Sequence, residues 1–380
     1  MPRLPMGFAV ITMAALTATP TSAQVEQYRS ALHDYQVVTV VDELDNPWAM
    51  AFLPNGDMLV TERPGRLRIV RAGTLLPTPV PGVPEVYARG QGGLLDVILH
   101  PEFATNRMLY MSYSKPLEDG STTAVIRARF ENDALSQVEE IFEADTRGGG
   151  HYGSRLAFDD AGYLFITVGD RQANPLEDQA NHPAQDVSNH HGTVNRLHDD
   201  GRIPTDNPFV DQEGAEPSIW SYGHRNPQGL SIHPQTGDIW ITEHGPQGGD
   251  ELNLIQPGNN YGWPVIGHGV NYGAGNPIHQ SSRAEGMEGP AHFWVPSIAT
   301  SGLLIYTGGQ FPDWRGNVFA GGLAGQQIAR LTMDGQSVES EETLVQGMGQ
   351  IRAITQGPDG YIYVASSAGG GTIVRLEPAG

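Results

Sequence analysis

Cysteine is absent from this 380-residue chain, and basic residues are scarce: 22 Lys and Arg stand against 43 Asp and Glu, a net charge of −21. Without cysteine the chain has no disulfides, no thiolate nucleophile, no cysteine zinc site and no haem attachment motif. The shortage of basic residues argues against binding to nucleic-acid phosphates or to an anionic membrane surface. No apolar run has the length of a transmembrane helix, so we expect no membrane insertion.

Glycine and proline, in contrast, are abundant, with 48 and 28 copies. Because both residues favour tight turns and show no collagen period, their number indicates many short strands. Aromatic residues and aliphatic runs exclude an acidic disordered chain. The length allows one large domain or two ordinary ones.

The first residues have the pattern of a targeting segment. Arg3 is followed by an apolar run over 8–16 and by the small residues Thr21, Ser22 and Ala23. A basic start, a short apolar run and a small-residue end are typical of a secretory signal peptide. We therefore predict a signal peptide over 1–23, cleaved after Ala23, and a periplasmic or secreted mature chain. A disordered tail or a core helix is the alternative.

One pattern recurs six times along the body of the chain: an apolar strand, a turn rich in Pro, Asp, Asn and Gly, and a second strand. The copies lie at 49–61, 96–111, 156–167, 230–242, 304–320 and 353–364. A hairpin repeated at intervals of about 45 residues or more predicts an all-β protein, a six-bladed β-propeller with four-stranded antiparallel blades. We expect a single catalytic domain over 24–380; a β-sandwich or two β domains are the alternatives. Longer intervals at roughly 171–220 and 256–300 predict inserted loops, where function tends to lie.

Two motifs at strand mouths offer candidate catalytic side chains. His151 lies between glycines in Gly148-Gly-Gly-His-Tyr-Gly-Ser-Arg155, where a neutral imidazole could accept a proton. Arg225 lies in Tyr222-Gly-His-Arg-Asn-Pro-Gln-Gly229 and could bind a carboxylate or a developing oxyanion. The alternatives are a histidine that packs on a loop and an arginine that bridges two blades.

A third motif suggests a metal. Glu243-His-Gly-Pro-Gln-Gly-Gly-Asp-Glu-Leu-Asn253, followed by Asn259-Asn-Tyr-Gly-Trp-Pro264, combines tight turns, exposed carbonyls and acidic side chains. Calcium accepts such oxygen ligands in flexible geometry. The spacing is not that of an EF-hand, and a solvated acidic turn is the alternative.

Taken in order, these motifs resemble a known family. The set comprises Gln91-Gly-Gly-Leu94, His151-x-x-x-Arg155-Leu, Gly223-His-Arg-Asn-Pro-Gln-Gly229, Glu243-x-Gly-Pro246, Asp250-Glu251 and Asn260-Tyr-Gly-Trp-Pro264. It is similar to the soluble glucose/sorbosone dehydrogenases, the aldose dehydrogenases that use pyrroloquinoline quinone (PQQ), and it extends from about Leu44 to Leu376. The family fold is a six-bladed propeller, in agreement with the repeat count.

The resemblance implies PQQ and calcium as cofactors and assigns roles by position. His151 matches the general base; Arg225 and Asn226 match the pair that contacts the quinone; Gln91 matches a residue near substrate and cofactor. The matches to calcium ligands are Gly245 and Pro246 for the cofactor calcium, and Glu251, Tyr261 and Tyr272 for a second, structural calcium.

The chain departs from the glucose-oxidising branch at several cofactor positions. Ala324 stands at a position that binds the cofactor through a lysine in that branch, and Gln350-Ile-Arg352 replaces an Arg-x-Arg pair, so that only Arg352 is kept. Gly150 replaces an aspartate before the base, and Thr193 replaces a common lysine. Each lost charge-assisted contact is worth about 1.5–3 kcal/mol, enough to weaken cofactor binding markedly.

The sequence therefore favours a quinoprotein that oxidises aldoses at C1 to lactones and passes electrons to an external acceptor. Two alternatives stay open: a propeller binding module that has lost catalysis, suggested by Ala324 and Gln350, and a calcium-dependent lactonase that uses His151 to activate water.

Overall fold

Six antiparallel β-sheets make up the computed structural model, which describes residues 27–273 and 275–379. Five sheets have four strands and the sixth has five, and they follow one another along the chain as the blades of a β-propeller. The predicted fold class is thus confirmed. The predicted signal peptide lies outside the described residues and stays a prediction.

The strands of each blade run in chain order from the central axis outward, apart from those that close the ring. Blade 1 comprises Pro47–Phe52, Met58–Glu62, Arg66–Arg71 and Thr74–Leu75. Blade 2 comprises Leu94–Leu99, Met108–Leu117, Gly120–Glu131 and Ala134–Glu143. Blade 3 comprises Leu156–Phe158, Leu164–Val168, Thr193–Leu197 and Ile219–Tyr222.

The second half of the ring repeats this order. Blade 4 comprises Pro227–Ile232, Ile239–Glu243, Asp250–Ile255 and His292–Trp294. Blade 5 comprises Thr300–Ile305, Val318–Gly322, Ile328–Asp334 and Ser337–Leu344. Blade 6 comprises Ile351–Gln356, Ile362–Ser366, Thr372–Pro378, Tyr35–Val41 and Gln27–Tyr28. Short helices lie at Phe103–Asn106, Gln179–Asn181, Pro183–Gln185, Pro312–Trp314 and Ala368–Gly370.

The two ends of the chain close the ring in blade 6. Tyr35–Val41 pairs with Thr372–Pro378, with Val37 opposite Leu376. The buried Tyr35 hydroxyl accepts a hydrogen bond from the main-chain N–H of Val345 at 3.1 Å, which ties the closing strand to blade 5.

The inner hairpins form where the repeated pattern predicts them. In blade 3, Phe158 pairs with Leu164 across the turn Asp159-Asp-Ala-Gly162. The Asp159 carboxylate accepts the N–H groups of Ala161 and Tyr163, and Gly162 has a φ of 83°. Local hydrogen bonding and a glycine in the left-handed region thus fix this turn.

Buried hydroxyl groups connect neighbouring blades near the axis. The Thr61 hydroxyl accepts the N–H of Ala49 in its own blade and donates to the Leu95 carbonyl of the next, at 3.0 and 2.6 Å. Ser112 and Thr167 make the same two bonds in blades 2 and 3. Because these groups are fully buried, each bond satisfies a carbonyl that water does not reach.

The same hydrogen bonds show that Ala49, Asp96 and Arg155 occupy equivalent positions in blades 1, 2 and 3. Ala49 is small, whereas Asp96 and Arg155 extend into the axial channel and form an ion pair at 3.4 Å. Arg155 also donates to the carbonyls of Gln228 and Arg352, at 2.7 and 2.8 Å. This pair, which we call the axial plug, lines one cavity together with Met50 and Ile354. Through the two carbonyls it also contacts residues that line a second cavity, next to Leu95.

Candidate active site

His151 stands at one end of the channel, on the loop that enters blade 3. Its φ of 46° is unusual for a residue with a side chain. Its N–H donates to the Gln91 Oε1 atom at 2.7 Å. A Cβ at Gly169 would lie 2.2 Å from the His151 carbonyl oxygen, so a glycine is required there. The predicted pair His151 and Gln91 is therefore brought together, and the loop is held from two sides.

The imidazole of His151 forms a dyad with Asp170. The two side chains meet through Nδ1 and Oδ1 at 2.5 Å. The other Asp170 oxygen accepts the Trp263 indole N–H at 2.7 Å, and Oδ1 also accepts the Gln172 N–H at 2.9 Å. The carboxylate is thus fixed by three partners, and Nδ1 of His151 carries the proton that leaves Nε2 as an acceptor. No described residue hydrogen-bonds that Nε2.

Burial and charge act on this dyad in opposite directions. His151 is 7% exposed, and burial lowers its pKa below the ordinary 6.5, while the charge of Asp170 raises it in part. Burial also acts to raise the pKa of Asp170, but its hydrogen bond with His151 and the charge of Arg225 hold that pKa below its usual range. The arrangement is therefore a neutral imidazole beside an ionised carboxylate, as a general base requires.

Arg225 and Asn226, the predicted quinone contacts, lie beside this dyad at the entrance of blade 4. The N–H of Arg225 donates to buried Glu243 at 2.6 Å, and its Nη1 donates to the Gly245 carbonyl at 2.7 Å. The guanidinium also lies 5.3 Å from the centre of the Trp263 ring. Oδ1 of Asn226 accepts the Gly153 N–H at 3.2 Å. Its Nδ2 has no partner among the described residues.

A polar depression adjoins these residues above the axial plug. It consists of two neighbouring cavities of about 110 and 130 Å³. Four residues line both cavities: Trp48, Arg63, Leu323 and Arg352. Predicted Gln91 and Asn226 line the first of them, and Gln350 lines the second.

Two partly buried basic side chains of the depression have no acidic partner among the described residues. Burial lowers the pKa of Arg352 to about 9, and its Nη1 donates to Oε1 of Gln228 at 2.8 Å. Burial and the charges of Arg225 and Arg352 lower the pKa of His244 to about 3. Its Nε2 atom is buried without a hydrogen-bond partner. Because such an atom has a substantial energetic cost, it favours a ligand that fills the depression.

The predicted cofactor-calcium ligands lie in a tight turn next to Arg225. The Gly245 N–H donates to Oδ1 of Asp250 at 2.9 Å, and a Cβ at Gly245 would lie 2.2 Å from the Gly249 carbonyl. The Asp250 carboxylate also accepts the Ser297 hydroxyl and the Thr300 N–H, so it holds the turn. The carbonyl oxygens of Gly245 and Pro246 are of the kind that a hard cation binds, although Arg225 donates to the first and Ser297 to the second.

Glu251 lies behind this turn, close to Glu243. Nδ2 of Asn253 donates to both carboxylates, at 2.8 Å to Glu243 and 3.2 Å to Glu251. Burial, and then the charge of Glu243, raise the pKa of Glu251 to about 8. Within 27–273 and 275–379 no group of three His, Asp or Glu side chains is arranged around a metal position. A cation here therefore needs main-chain oxygens as well.

The two predicted tyrosines differ in placement. Tyr261 lines the same cavity as Gly245, Pro246 and Glu251, and its hydroxyl donates to the Leu254 carbonyl at 2.5 Å. Only its carbonyl oxygen is therefore left as a ligand. Tyr272 is 62% exposed and is not among the residues of that cavity, so the structure does not bring it together with Glu251.

The remaining departures have local explanations. Ala324 is exposed, and Leu323 lines the depression in its place. A Cβ at Gly150 would lie 2.4 Å from the Gln172 side chain, which occupies that space. The buried Thr193 hydroxyl donates to the His190 carbonyl at 3.0 Å.

Sequence reasoning missed several residues of the site. They are Trp48, Arg63, Asp170, Gln228, His244 and the side chain of Trp263. The one available signal was Gly169-Asp170 directly after the strand Leu164–Val168, since polar residues at strand ends often serve a site.

The structure is thus a propeller that carries a histidine–aspartate dyad beside an arginine-lined depression. Comparisons with known proteins identify the enzyme family to which it belongs. The family model for glucose/sorbosone dehydrogenase matches residues 44–375. An aldose sugar dehydrogenase of Escherichia coli K12, YliI, is 41% identical over 374 residues, which cover 96% of this chain and 95% of that one. The chain therefore belongs to the glucose/sorbosone dehydrogenase family, as predicted.

Comparisons with solved structures support the same family assignment. The soluble aldose sugar dehydrogenase from E. coli, in its apo form, has a TM-score of 0.86 and 40% identity, covering 91% of this chain and 100% of that one. The PQQ-bound aldose sugar dehydrogenase from Streptomyces coelicolor has a TM-score of 0.73 and 27% identity, covering 95% and 99%. Among the described residues, no helix is long and apolar enough to cross a membrane.

Proposed function

We propose that this protein is a PQQ- and calcium-dependent aldose dehydrogenase that oxidises sugars at C1 to lactones. The observation that carries the proposal is the His151–Asp170 dyad, which lies next to Arg225 and leaves Nε2 of the imidazole without a partner among the described residues. Family membership and the PQQ-bound relative support the same reading. We propose a periplasmic or secreted location on the basis of the signal-peptide pattern over 1–23. We also propose an external electron acceptor, because the chain has no cysteine for haem attachment.

The depression suits PQQ, a planar group with three carboxylates. Trp48 and Leu323 offer apolar surface, while Arg63 and Arg352 offer charge. The unpartnered Nε2 of His244 and Nδ2 of Asn226 are available to a polar ligand. When bound, PQQ supplies the two-electron acceptor for the hydride that leaves C1 of the sugar.

The residues of the chain then handle the proton. Nε2 of His151 accepts it from the anomeric hydroxyl, as the C1–H bond breaks and the C1–O bond becomes a carbonyl. Asp170 stabilises the imidazolium that forms, and Trp263 keeps the carboxylate in place. Arg225 offers its guanidinium to negative charge that develops beside it.

Calcium suits the neighbouring turn for a different reason. The carbonyls of Gly245 and Pro246 and the buried carboxylate of Glu251 are oxygen ligands of the kind calcium prefers. A divalent cation near Glu251 and Glu243 also removes the repulsion between two buried acids. We therefore propose calcium at Gly245 and Pro246 and a second calcium at Glu251 and Tyr261.

Dye reduction by the purified protein tests this function. Protein freed of metal and cofactor is assayed with a panel of aldoses, with and without added PQQ and calcium, and the product is identified as lactone. We expect turnover only when both are present, and its loss in His151→Ala, which should still bind PQQ. No PQQ binding at any calcium concentration would support a binding module instead. Hydrolysis of lactones without PQQ would support a lactonase.

A further inference from the structure

Arg63 and Arg352 are two cations of the depression that have no carboxylate partner in the part of the chain the structure describes. Arg63 donates through Nη1 to the Gly90 carbonyl at 2.6 Å, and Arg352 donates through Nη1 to Oε1 of Gln228 at 2.8 Å. Acidic residues outnumber basic ones by 43 to 22 in this chain. It is therefore unusual that two guanidinium groups line one cavity without a carboxylate partner.

The position of Arg63 is fixed by its backbone and by its side-chain stem. Its N–H donates to the Asn46 carbonyl at 3.0 Å, and its own carbonyl accepts the Leu94 N–H at 3.0 Å. A Cβ at Gly93 would lie 2.0 Å from the Arg63 carbonyl oxygen and 2.5 Å from its Cγ atom. The absence of a side chain at Gly93, in the motif Gln91-Gly-Gly-Leu94, thus lets the Arg63 stem pass close to this loop.

Arg352 reaches the depression from the first strand of blade 6, which neighbours blade 1 in the ring. Its guanidinium lies 5.8 Å from the centre of the Trp48 ring. The positive charges of Arg155 and Arg63 add to burial in lowering its pKa, which shows that the two guanidinium groups of the depression repel each other. An anion between them would remove that repulsion and form charge-assisted hydrogen bonds with both.

The geometry points to Arg63 and Arg352 as a pair that binds carboxylate groups of the cofactor. This inference rests on the proposed function and adds a residue from blade 1 to it. Ala324 is exposed without a charge, and Gln350 is neutral, so neither supplies the cation found at these positions in the glucose-oxidising branch. Arg63 supplies it instead, from the turn that follows the strand Met58–Glu62 of blade 1.

Calorimetric binding of PQQ and of its trimethyl ester to the calcium-loaded protein tests the pair without measuring turnover. The variants are Arg63→Gln, Arg352→Gln and the double change. The matched control is Arg315→Gln. Arg315 also donates to one main-chain carbonyl, that of Gly308, but it lies at the end of blade 5 that is remote from the depression. We expect each single change in the depression to weaken binding of the acid about 10- to 100-fold. The ester should bind the unmodified protein and all four variants alike.

The outcomes separate this inference from the proposed function. If the unmodified protein fails to bind PQQ, the proposed function fails. If it binds PQQ and Arg63→Gln binds it equally well, Arg63 has no such role and the function stands. Thermal unfolding of each variant checks that it is folded, and Arg63→Lys, which keeps the charge, should recover part of the affinity.

Discussion

Oδ1 of Asp170 lies 2.5 Å from Nδ1 of His151, although nineteen residues separate them in sequence. The two come from consecutive loops of blade 3, before its first strand and after its second. This contact orients the imidazole, so that Nε2 is the atom available to substrate. The dyad therefore depends on a hairpin whose two ends meet on the same face of the propeller.

Asp170→Asn should lower kcat by about 10²- to 10⁴-fold, because the amide no longer stabilises the imidazolium. The affinity for PQQ should change little, since Asp170 does not line the depression. Steady-state dye reduction and calorimetry measure the two quantities. Trp263→Phe, which removes one hydrogen bond to the same carboxylate, should have a smaller effect. Equal kcat in Asp170→Asn and the unmodified protein would contradict the role of the dyad.

On the acid side of the pH profile, kcat/KM should begin to fall only below pH 6.5; we call this decrease the acid limb. Burial lowers the pKa of His151, so the base stays neutral and active at a pH where an exposed histidine is half protonated. In Asp170→Asn the charge that raises this pKa is gone, and the limb should move to still lower pH. A limb above 6.5, or a shift in the opposite direction, would show that another group controls the rate.

How much of the fold could be predicted from the sequence depends on how far apart in the chain the interacting residues lie. The six inner hairpins were predictable because alternation and turn residues are local, as in Asp159–Gly162. The pairing of Tyr35–Val41 with Thr372–Pro378 was not, since nothing in either segment marks a partner at the other end of the chain.

The residues of the candidate site also fall into two groups, those that a local motif marks and those that no motif marks. His151, Arg225 and Asn226 lie in glycine-rich motifs that could be recognised, and the structure places them together. Arg63 lies in an ordinary strand end, where an arginine usually forms an exposed ion pair, so only its position beside Arg352 shows what it can bind. The difference between Ala324 and Leu323 is one residue in a loop, finer than a motif match can resolve.

Removal of calcium should lower the melting temperature. The buried Glu251 carboxylate faces the charge of Glu243 without a cation in the apo protein, and a bound calcium stabilises the folded state by about 2.7 kcal/mol at 100 times its Kd. Differential scanning fluorimetry with calcium and with a chelator measures the change. Glu251→Gln should lose most of the calcium-dependent increase, whereas Glu213→Gln, an exposed control, should keep it. An identical increase in both would place the stabilising calcium elsewhere.

Thr61→Val should destabilise the propeller by about 1–3 kcal/mol. The change removes the donor to the Leu95 carbonyl and the acceptor for the Ala49 N–H, both in a fully buried setting. Urea unfolding followed by tryptophan fluorescence provides the measurement. Thr236→Val is the matched control, since Thr236 is exposed and its hydroxyl bonds only within its own turn. A similar loss in both variants would mean that the bond between blades contributes nothing of its own.

The axial plug has a kinetic consequence. Because the buried pair of Asp96 and Arg155 lies between the depression and the cavity lined by Met50 and Ile354, we expect ligands to enter and leave the depression from the opposite face of the ring. Under the proposed function, the sugar and the electron acceptor should then use the same opening and bind one after the other. Alternate binding of two substrates at one site gives parallel double-reciprocal plots of the rate. An excess of either substrate should inhibit the reaction by blocking the binding of the other.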